Sequence, residues 1–361
     1  MHTVGCKTRA RHLWAKARIA TDHIIRIYHI QHIDHIYHID HIHHIDHISF
    51  PLNTLLVIGG ATATGKTALA IRLARHFGTE VLSADSRQFY RGMDIGTAKP
   101  SAAELAAVPH HFINQLEVTQ AFSVGDFERA ALGELARIFQ NKTVAVLVGG
   151  SGLYLRAVCE GLDSFPVVPD DIRNQVAAGE QSGGLAWLQT ELAQLDPDYF
   201  ATVDQHNPAR LRRALEVARA SGRPYSAFLE QPKVVRPFQP VYLLLELPRP
   251  QLYARIEARV EAMLAADLEA EVRSLLPYRH LPALNTVGYP EFFDFFDGKI
   301  DRAEAIKLIK QHSRNYAKRQ ATWFRKHGDW TTFHPDDWAG ILVFLAQKLE
   351  ELSPEREKQM P

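Results

Sequence analysis

LLVIGGATATGKTALAIRLARH, residues 55–76, runs without interruption from an apolar stretch through a glycine-bounded loop into a helical pattern. Leu55, Leu56, Val57 and Ile58 have the length and composition of a buried strand. The loop GATATGKT, residues 60–67, fits the phosphate-binding spacing G-x-x-x-x-G-K-[ST]. Gly60 and Gly65 admit torsions closed to other residues, so the backbone N–H groups of Ala61, Thr62, Ala63, Thr64 and Gly65 can turn inward toward phosphate oxygens. A helix predicted over residues 68–76 adds the positive end of its dipole. Lys66 brings a point charge and Thr67 a hydroxyl for Mg²⁺. A strand, a phosphate loop and a helix in this order predict an α/β chain of P-loop NTPase-like fold, a parallel sheet flanked by helices. The loop leaves open which phosphate compound it holds.

Further along, residues 80–84 read as a short buried strand that delivers Asp85 and Ser86 to its C-terminal end. In open parallel sheets that edge is where ligands bind. Asp85 could be a Mg²⁺ ligand, a general base or a helix N-cap, and its position favours chemistry. A third apolar strand, residues 143–148, ends in Gly149-Gly150-Ser151-Gly152, where an NTPase would usually carry an aspartate. ATP hydrolysis is therefore disfavoured; glycines there allow close approach, and Ser151 offers a hydroxyl. Two basic segments stand out. Arg210, Arg212 and Arg213 accompany core-like Leu211, Leu215 and Ala218, and a helix predicted over residues 302–325 sets Lys307, Lys310, Arg314, Lys318 and Arg325 near one side. Tyr316, Trp323 and Phe324 interleave with those charges, as expected for core packing at least as much as for base stacking.

The 361 residues, 46% hydrophobic, suffice for one large core and a smaller satellite. Lys and Arg together number 41, as do Asp and Glu, which excludes a globally basic nucleic-acid binder but not a local basic face. Cys6 and Cys159 form no C-x-x-C pair, so neither a disulfide framework nor a zinc module is encoded. No apolar run approaches the roughly 20 residues of a membrane span, and a monomer in the cytoplasm is expected, without membrane attachment. The repeat HIQHIDHIYHIDHIHHIDHI, residues 29–48, has a period of three that suits neither helix nor strand. It is expected to be a disordered low-complexity extension spanning residues 1–50, in preference to a metal-capture tract. The basic, acid-free start of the chain has the composition of an organelle-targeting peptide, a lesser alternative.

Seven motifs in order carry a family resemblance: the phosphate loop, DSRQFYRGMDIGTAKP at 85–100, VPHH at 108–111, VGGSGLY at 148–154, NPARLRRALEV at 207–217, VGY at 287–289 and YAKRQATWFR at 316–325. Together they resemble the bacterial type of tRNA dimethylallyltransferase, from about residue 54 to about residue 333. The resemblance implies transfer of the dimethylallyl group of dimethylallyl diphosphate to the exocyclic amine of the adenosine 3′ of a tRNA anticodon. It implies that Thr62, Lys66 and Thr67, with Mg²⁺, hold the diphosphate within residues 60–67, joined by Arg259. Asp85 would take the proton, with Thr62, Lys66 and Ser151 completing the catalytic group. The anticodon stem-loop would meet Asp85, Ser86, Arg87 and Gln88, the basic Arg210, Arg212 and Arg213, and Gly288 with Tyr289. Arg314, Lys318, Arg319, Gln320, Trp323 and Arg325 would complete that surface. Ala61 stands where most relatives carry proline, and Ser151 where threonine is commoner.

By composition the core should comprise residues 54–169 and 241–335, interrupted by a helical insertion at 170–240, which the resemblance implies binds tRNA. A C-terminal helix and tail should occupy 336–361. A stacked anticodon base must be extruded before its amine can react. The alternatives are a prenyltransferase acting on free adenylate and, further off, a P-loop small-molecule kinase.

Overall fold

β1 (Thr54–Gly60) is buried along its whole length, so its sequence reads as a continuous apolar run instead of an alternation. The computed structural model describes residues 53–229 and 234–352; the His-Ile repeat and the basic segment before it lie outside them. Five more strands complete a six-stranded sheet with β1: β2 (Val81–Ser83), β3 (His110–His111), β4 (Val144–Val148), β5 (Gln239–Leu245) and β6 (Thr331–Phe333), in the order β3-β2-β4-β1-β5-β6. Every pairing is parallel, with Leu55 facing Ala145 on one side and Pro240 on the other. The chain moves from β1 outward to β2 and β3, returns to β4, and only then crosses to β5. Successive connections therefore diverge between β4 and β1, which opens a crevice beyond the strands' C-terminal ends.

Helices flank the sheet. α1 (Lys66–His76) leaves the loop after β1, its N-cap Gly65 in the left-handed region, so the helix begins two residues before the predicted start. α2 (Ala102–Ala107) and α3 (Val124–Ile138) each open on a capping box, Ser101 with Glu104 and Ser123 with Asp126, which satisfies two otherwise unpaired N–H groups at each start. α4 (Gly152–Glu160) follows β4.

Between β4 and β5 the chain forms a helical segment with its own apolar centre. α5 (Asp170–Leu195) breaks at Gly184, φ 62, and α6 (Pro197–Thr202) and α7 (Pro208–Ser221) follow. Val176, Leu188 and Leu192 of α5 pack with Leu211, Ala214 and Leu215 of α7. Trp187 folds back over Gly179 and Gly183, where an added Cβ would lie 2.3 and 2.6 Å from its side chain. The two connections to this segment meet where Val234 N donates to Glu160 O at 3.1 Å.

After β5 come α8 (Arg249–Ala265), α9 (Leu268–Ser274), α10 (Pro290–Phe296) and α11 (Arg302–Lys326), the last matching the predicted 302–325 within one residue. The central core unites β1, β2 and β4 with Phe89, Phe127, Tyr289 and Phe292 from the surrounding segments. Residues Phe50–Asp337 make one compact unit. Outside it the described chain forms α12 (Trp338–Leu352).

Candidate active site

The loop after β1 is bent by its own backbone. Gly60 has φ 148 and Gly65 φ 95, and a Cβ at Gly60 would lie 2.7 Å from Leu245 O, so both glycines are required. Ala63 shares the left-handed region at φ 65. The carbonyl of Ala61 accepts twice, from Lys66 Nζ at 2.7 Å and from Thr64 Oγ1 at 2.9 Å, which ties the two ends of the loop together.

Thr62, Ala63, Gly65, Lys66 and Thr67 line a cavity of about 470 Å³ at the crevice beyond the strand ends. Arg259, from α8, reaches the same space and donates from Nη1 to Thr62 Oγ1 at 3.3 Å. Gly60, Ala61 and Thr64 instead line a second cavity of about 250 Å³, bounded also by Leu252, Tyr253 and Phe324. Burial, and secondarily the Arg259 charge, pull the Lys66 ammonium down to about 7 against the opposing pull of Asp85. Burial lowers Arg259 as well, with Asp85 and Glu104 opposing. Two cations held in such surroundings are short of negative charge, which a phosphate ligand would supply.

Asp85 stands at the C-terminal end of β2, on the cavity wall, and its Oδ1 accepts from Arg87 N at 3.0 Å. Of the roles left open for it, the geometry shows a carboxylate capping its own turn and facing the space in front of Lys66. Arg87 and Gln88 line the cavity too, and Ser86 lies outside it. Gln88 Nε2 donates to Thr97 O at 3.2 Å, and Ser83 Oγ donates to Gln88 Oε1 at 3.1 Å. The glycine turn after β4 supplies Gly149 and Gly150; a Cβ at Gly149 would meet Ala84 O at 2.4 Å, so this turn lies directly against the end of β2. Ser151 is hydrogen-bonded to Tyr316, whose phenol burial pushes up to about 12. Tyr316 itself lines the cavity.

α11 divides its polar residues between two tasks. Gln320 is buried: its Oε1 accepts from Thr62 N at 2.8 Å while its Nε2 donates to Gly150 O at 3.0 Å, so both ends of the amide bridge the phosphate loop and the glycine turn. Trp323 covers Gly152, where a Cβ would lie 2.1 Å from the indole. Lys310 and Arg314 pair with Glu261 and Glu257 of α8 at 2.5 and 2.8 Å, and Lys307 with Glu304 of its own helix at 2.9 Å. Lys318 and Arg325 are exposed at the rim of the smaller cavity, and the Arg319 guanidinium lies 5.8 Å from the centre of the Tyr316 ring. On α7, Arg210 and Arg213 are exposed, whereas Arg212 forms a two-point contact with Glu180 of α5, Nε to Oε2 at 2.5 Å and Nη2 to Oε1 at 2.6 Å. None of these three arginines lines the large cavity.

Gly288 forms part of the cavity wall, but Tyr289 is fully buried, its hydroxyl donating to Glu271 at 2.8 Å. Glu291, buried beside it, accepts from Gly288 N at 2.8 Å and meets His312 Nδ1 at 2.6 Å. Glu271, Glu291, Ser83 and Ser313 belong to the site or its support without having carried any sequence signal. Each is a single polar residue without a periodic neighbour, and only the fold brings it there.

Away from the cavity, Glu80, His111 and Glu134 bring one potential ligand atom each within 4.8 Å of the others, a possible metal-binding group. The Arg137 guanidinium donates to both carboxylates, at 2.5 Å to Glu134, so these four side chains form a closed ion-pair network. For Mg²⁺ the large cavity fits better. Thr67 places a hard oxygen donor at the first turn of α1, beside the cations expected to hold phosphate, and Mg²⁺ takes few protein ligands and fills the rest with phosphate oxygen and water.

Comparison with known proteins gives the family of the chain. The model of the IPP transferase family matches residues 88–327. A tRNA dimethylallyltransferase of Christiangramia forsetii is 50% identical over 298 residues, 82% of this chain and 99% of that protein. One from Cytophaga hutchinsonii is 43% identical, covering 84% of this chain and all of its own length. Among solved structures, the full-length tRNA isopentenylpyrophosphate transferase of Bacillus halodurans superposes with a TM-score of 0.63 at 36% identity, over 84% of this chain and 99% of that one. A eukaryotic dimethylallyltransferase acting on tRNA superposes at TM-score 0.70 and 23% identity, over 86% of this chain and 80% of its own, and so shares the fold.

Proposed function

As this chain belongs to the IPP transferase family, we propose that it transfers a dimethylallyl group from dimethylallyl diphosphate to the exocyclic amine of the adenosine 3′ of the anticodon in tRNA. The observation that carries the reading is the composition of one cavity: a phosphate loop with two half-buried cations, a carboxylate facing them, and glycines where an ATP-hydrolysing site would place an aspartate.

The Lys66 ammonium, the Arg259 guanidinium and the N–H groups at the start of α1 bind the diphosphate and stabilise its charge as the allylic C–O bond breaks. Mg²⁺, when bound, would neutralise leaving-group charge, held by the Thr67 hydroxyl together with phosphate oxygens and water. Asp85 accepts the proton released as the amine nitrogen bonds to the allylic carbon. Its carboxylate is fixed by the hydrogen bond from Arg87 N, so it meets the amine in one orientation. Exposed Arg210, Arg213, Lys318, Arg319 and Arg325 contact the RNA backbone. Arg87 and Gln88 line the cavity that would receive an extruded base, Ser86 adjoins them in the chain, and Ser151 acts through its bond to Tyr316.

Labelled dimethylallyl diphosphate offered with bulk tRNA, AMP or ATP tests the reading. Label should enter tRNA alone; label in AMP, or phosphate moved from ATP, would replace it with one of the two alternative activities.

A further inference from the structure

Glu271 of α9 lies outside the cavity wall, yet its carboxylate gathers four hydrogen bonds from two segments that form that wall. Oε2 accepts from Asp94 N at 2.8 Å and Ile95 N at 2.7 Å; Oε1 accepts from Gly96 N at 2.9 Å and from the Tyr289 hydroxyl at 2.8 Å. Three consecutive backbone N–H groups converging on one anion form a nest, and hydrogen bonds to a charged acceptor are the stronger kind. The loop that supplies them continues into Thr97 and Ala98, which line the cavity. Tyr289 follows Gly288, which lines it from the other segment. The two are in direct contact as well: a Cβ at Gly96 would lie 2.7 Å from the Tyr289 ring.

The loop does not hold this shape by itself. Ala98 sits at φ 49, left-handed for a residue with a side chain, a conformation that persists only where surrounding contacts fix it. The carbonyls of Thr97 and Ala98 receive Gln88 Nε2 at 3.2 and 3.4 Å, and Gln88 stands on the cavity wall three residues after Asp85. A continuous run of contacts thus leads from Glu271 through the loop to Gln88, beside the proposed base.

We propose that Glu271 is a positioning residue for the transfer reaction: its carboxylate fixes the loop at 94–98 against Tyr289 and so sets where Gln88 stands beside Asp85. This rests on the prenyl-transfer reading above. Glu271 touches neither reactant and acts only through the loop.

E271Q keeps the shape but leaves one acceptor oxygen where two are needed, and turns an NH₂ toward backbone N–H groups. With tRNA as acceptor its kcat should fall about ten- to hundred-fold, while KM for dimethylallyl diphosphate stays within about twofold, because the phosphate loop is untouched. Q88A should also lower kcat, and the E271Q/Q88A double variant should be no slower than the slower single one, since the two act in series. Y289F removes one of the four bonds and leaves the nest intact. It should lose about three- to tenfold in kcat with the same unchanged donor KM, which carries the test should E271Q fail to fold. Effects of E271Q, or of Y289F in its place, that multiply with those of Q88A would overturn the proposal, as would a donor KM that rises in step with the fall in kcat. Wild-type protein that places no label in tRNA would instead defeat the prenyl-transfer reading, so the two failures are distinguishable.

Discussion

Arg259 Nη1 stands 3.3 Å from Thr62 Oγ1, bringing a guanidinium from α8 to a hydroxyl of the loop after β1, 197 positions apart in the chain. The contact makes the proposed diphosphate cradle a two-element device: the loop shapes it, and a distant helix adds charge to it.

R259A should therefore raise KM for dimethylallyl diphosphate about ten- to hundred-fold, the worth of a hydrogen bond to a charged group. R259K keeps the charge but loses the planar fork and should recover only part of that loss. Steady-state rates over a range of donor concentrations, at saturating tRNA, measure both.

D85N tests the base without disturbing the turn, because an amide oxygen can still accept from Arg87 N. Single-turnover transfer should slow by about 10²–10⁴-fold, with the affinity for tRNA within about threefold of wild type. Filter binding beside rapid-quench transfer reads the two separately.

Two glycines of the turn after β4 should respond differently to alanine. At Gly152 the obstacle is the Trp323 side chain, and at Gly149 it is the backbone oxygen of Ala84. Each substitution should cost about 1–3 kcal/mol by overpacking. A compensating W323L should restore G152A and leave G149A unimproved, as urea denaturation would show.

Among the three arginines of α7, Arg212 should prove structural. Hydrogen bonds from Arg212 hold the Glu180 carboxyl below its ordinary range, against the smaller opposing effect of burial. A carboxylate lowered on folding stabilises fully above its unfolded pKa, and that contribution is lost as pH falls through the folded value. E180Q should thus cost about 0.2–1 kcal/mol at pH 7, screened as a partly exposed pair is, and the difference from wild type should fade as pH falls below about 4. Denaturation midpoints at several pH values check it. R210A should leave stability unchanged and instead weaken tRNA binding, reducing the salt slope by about one.

What could be read from the sequence is what is encoded locally. Gly60, Gly65, Lys66 and Thr67 lie within eight residues, and the torsions they permit do not depend on the rest of the chain, so the loop, its strand and its helix were all visible. The limits of α11 were visible because its apolar period is long. Which way its polar residues face was not. Lys310 and Arg314 answer carboxylates on α8, and Gln320 turns inward to Thr62 and Gly150 although its type suggests a surface. Glu271 and Glu291 gave no sign, because a carboxylate that gathers backbone N–H groups in the fold looks in sequence like any solvated acid. The His-Ile repeat lies outside the described residues.

The amide of Gln320 reaches back 258 positions to Thr62, and until α11 is in place the phosphate loop lacks this brace. While the chain is still emerging from the ribosome, its first hundred folded residues would carry the phosphate-binding motif without a closed seat for the donor. A product truncated before residue 302 should likewise lack a closed seat for the donor, so synthesis and donor binding are completed together.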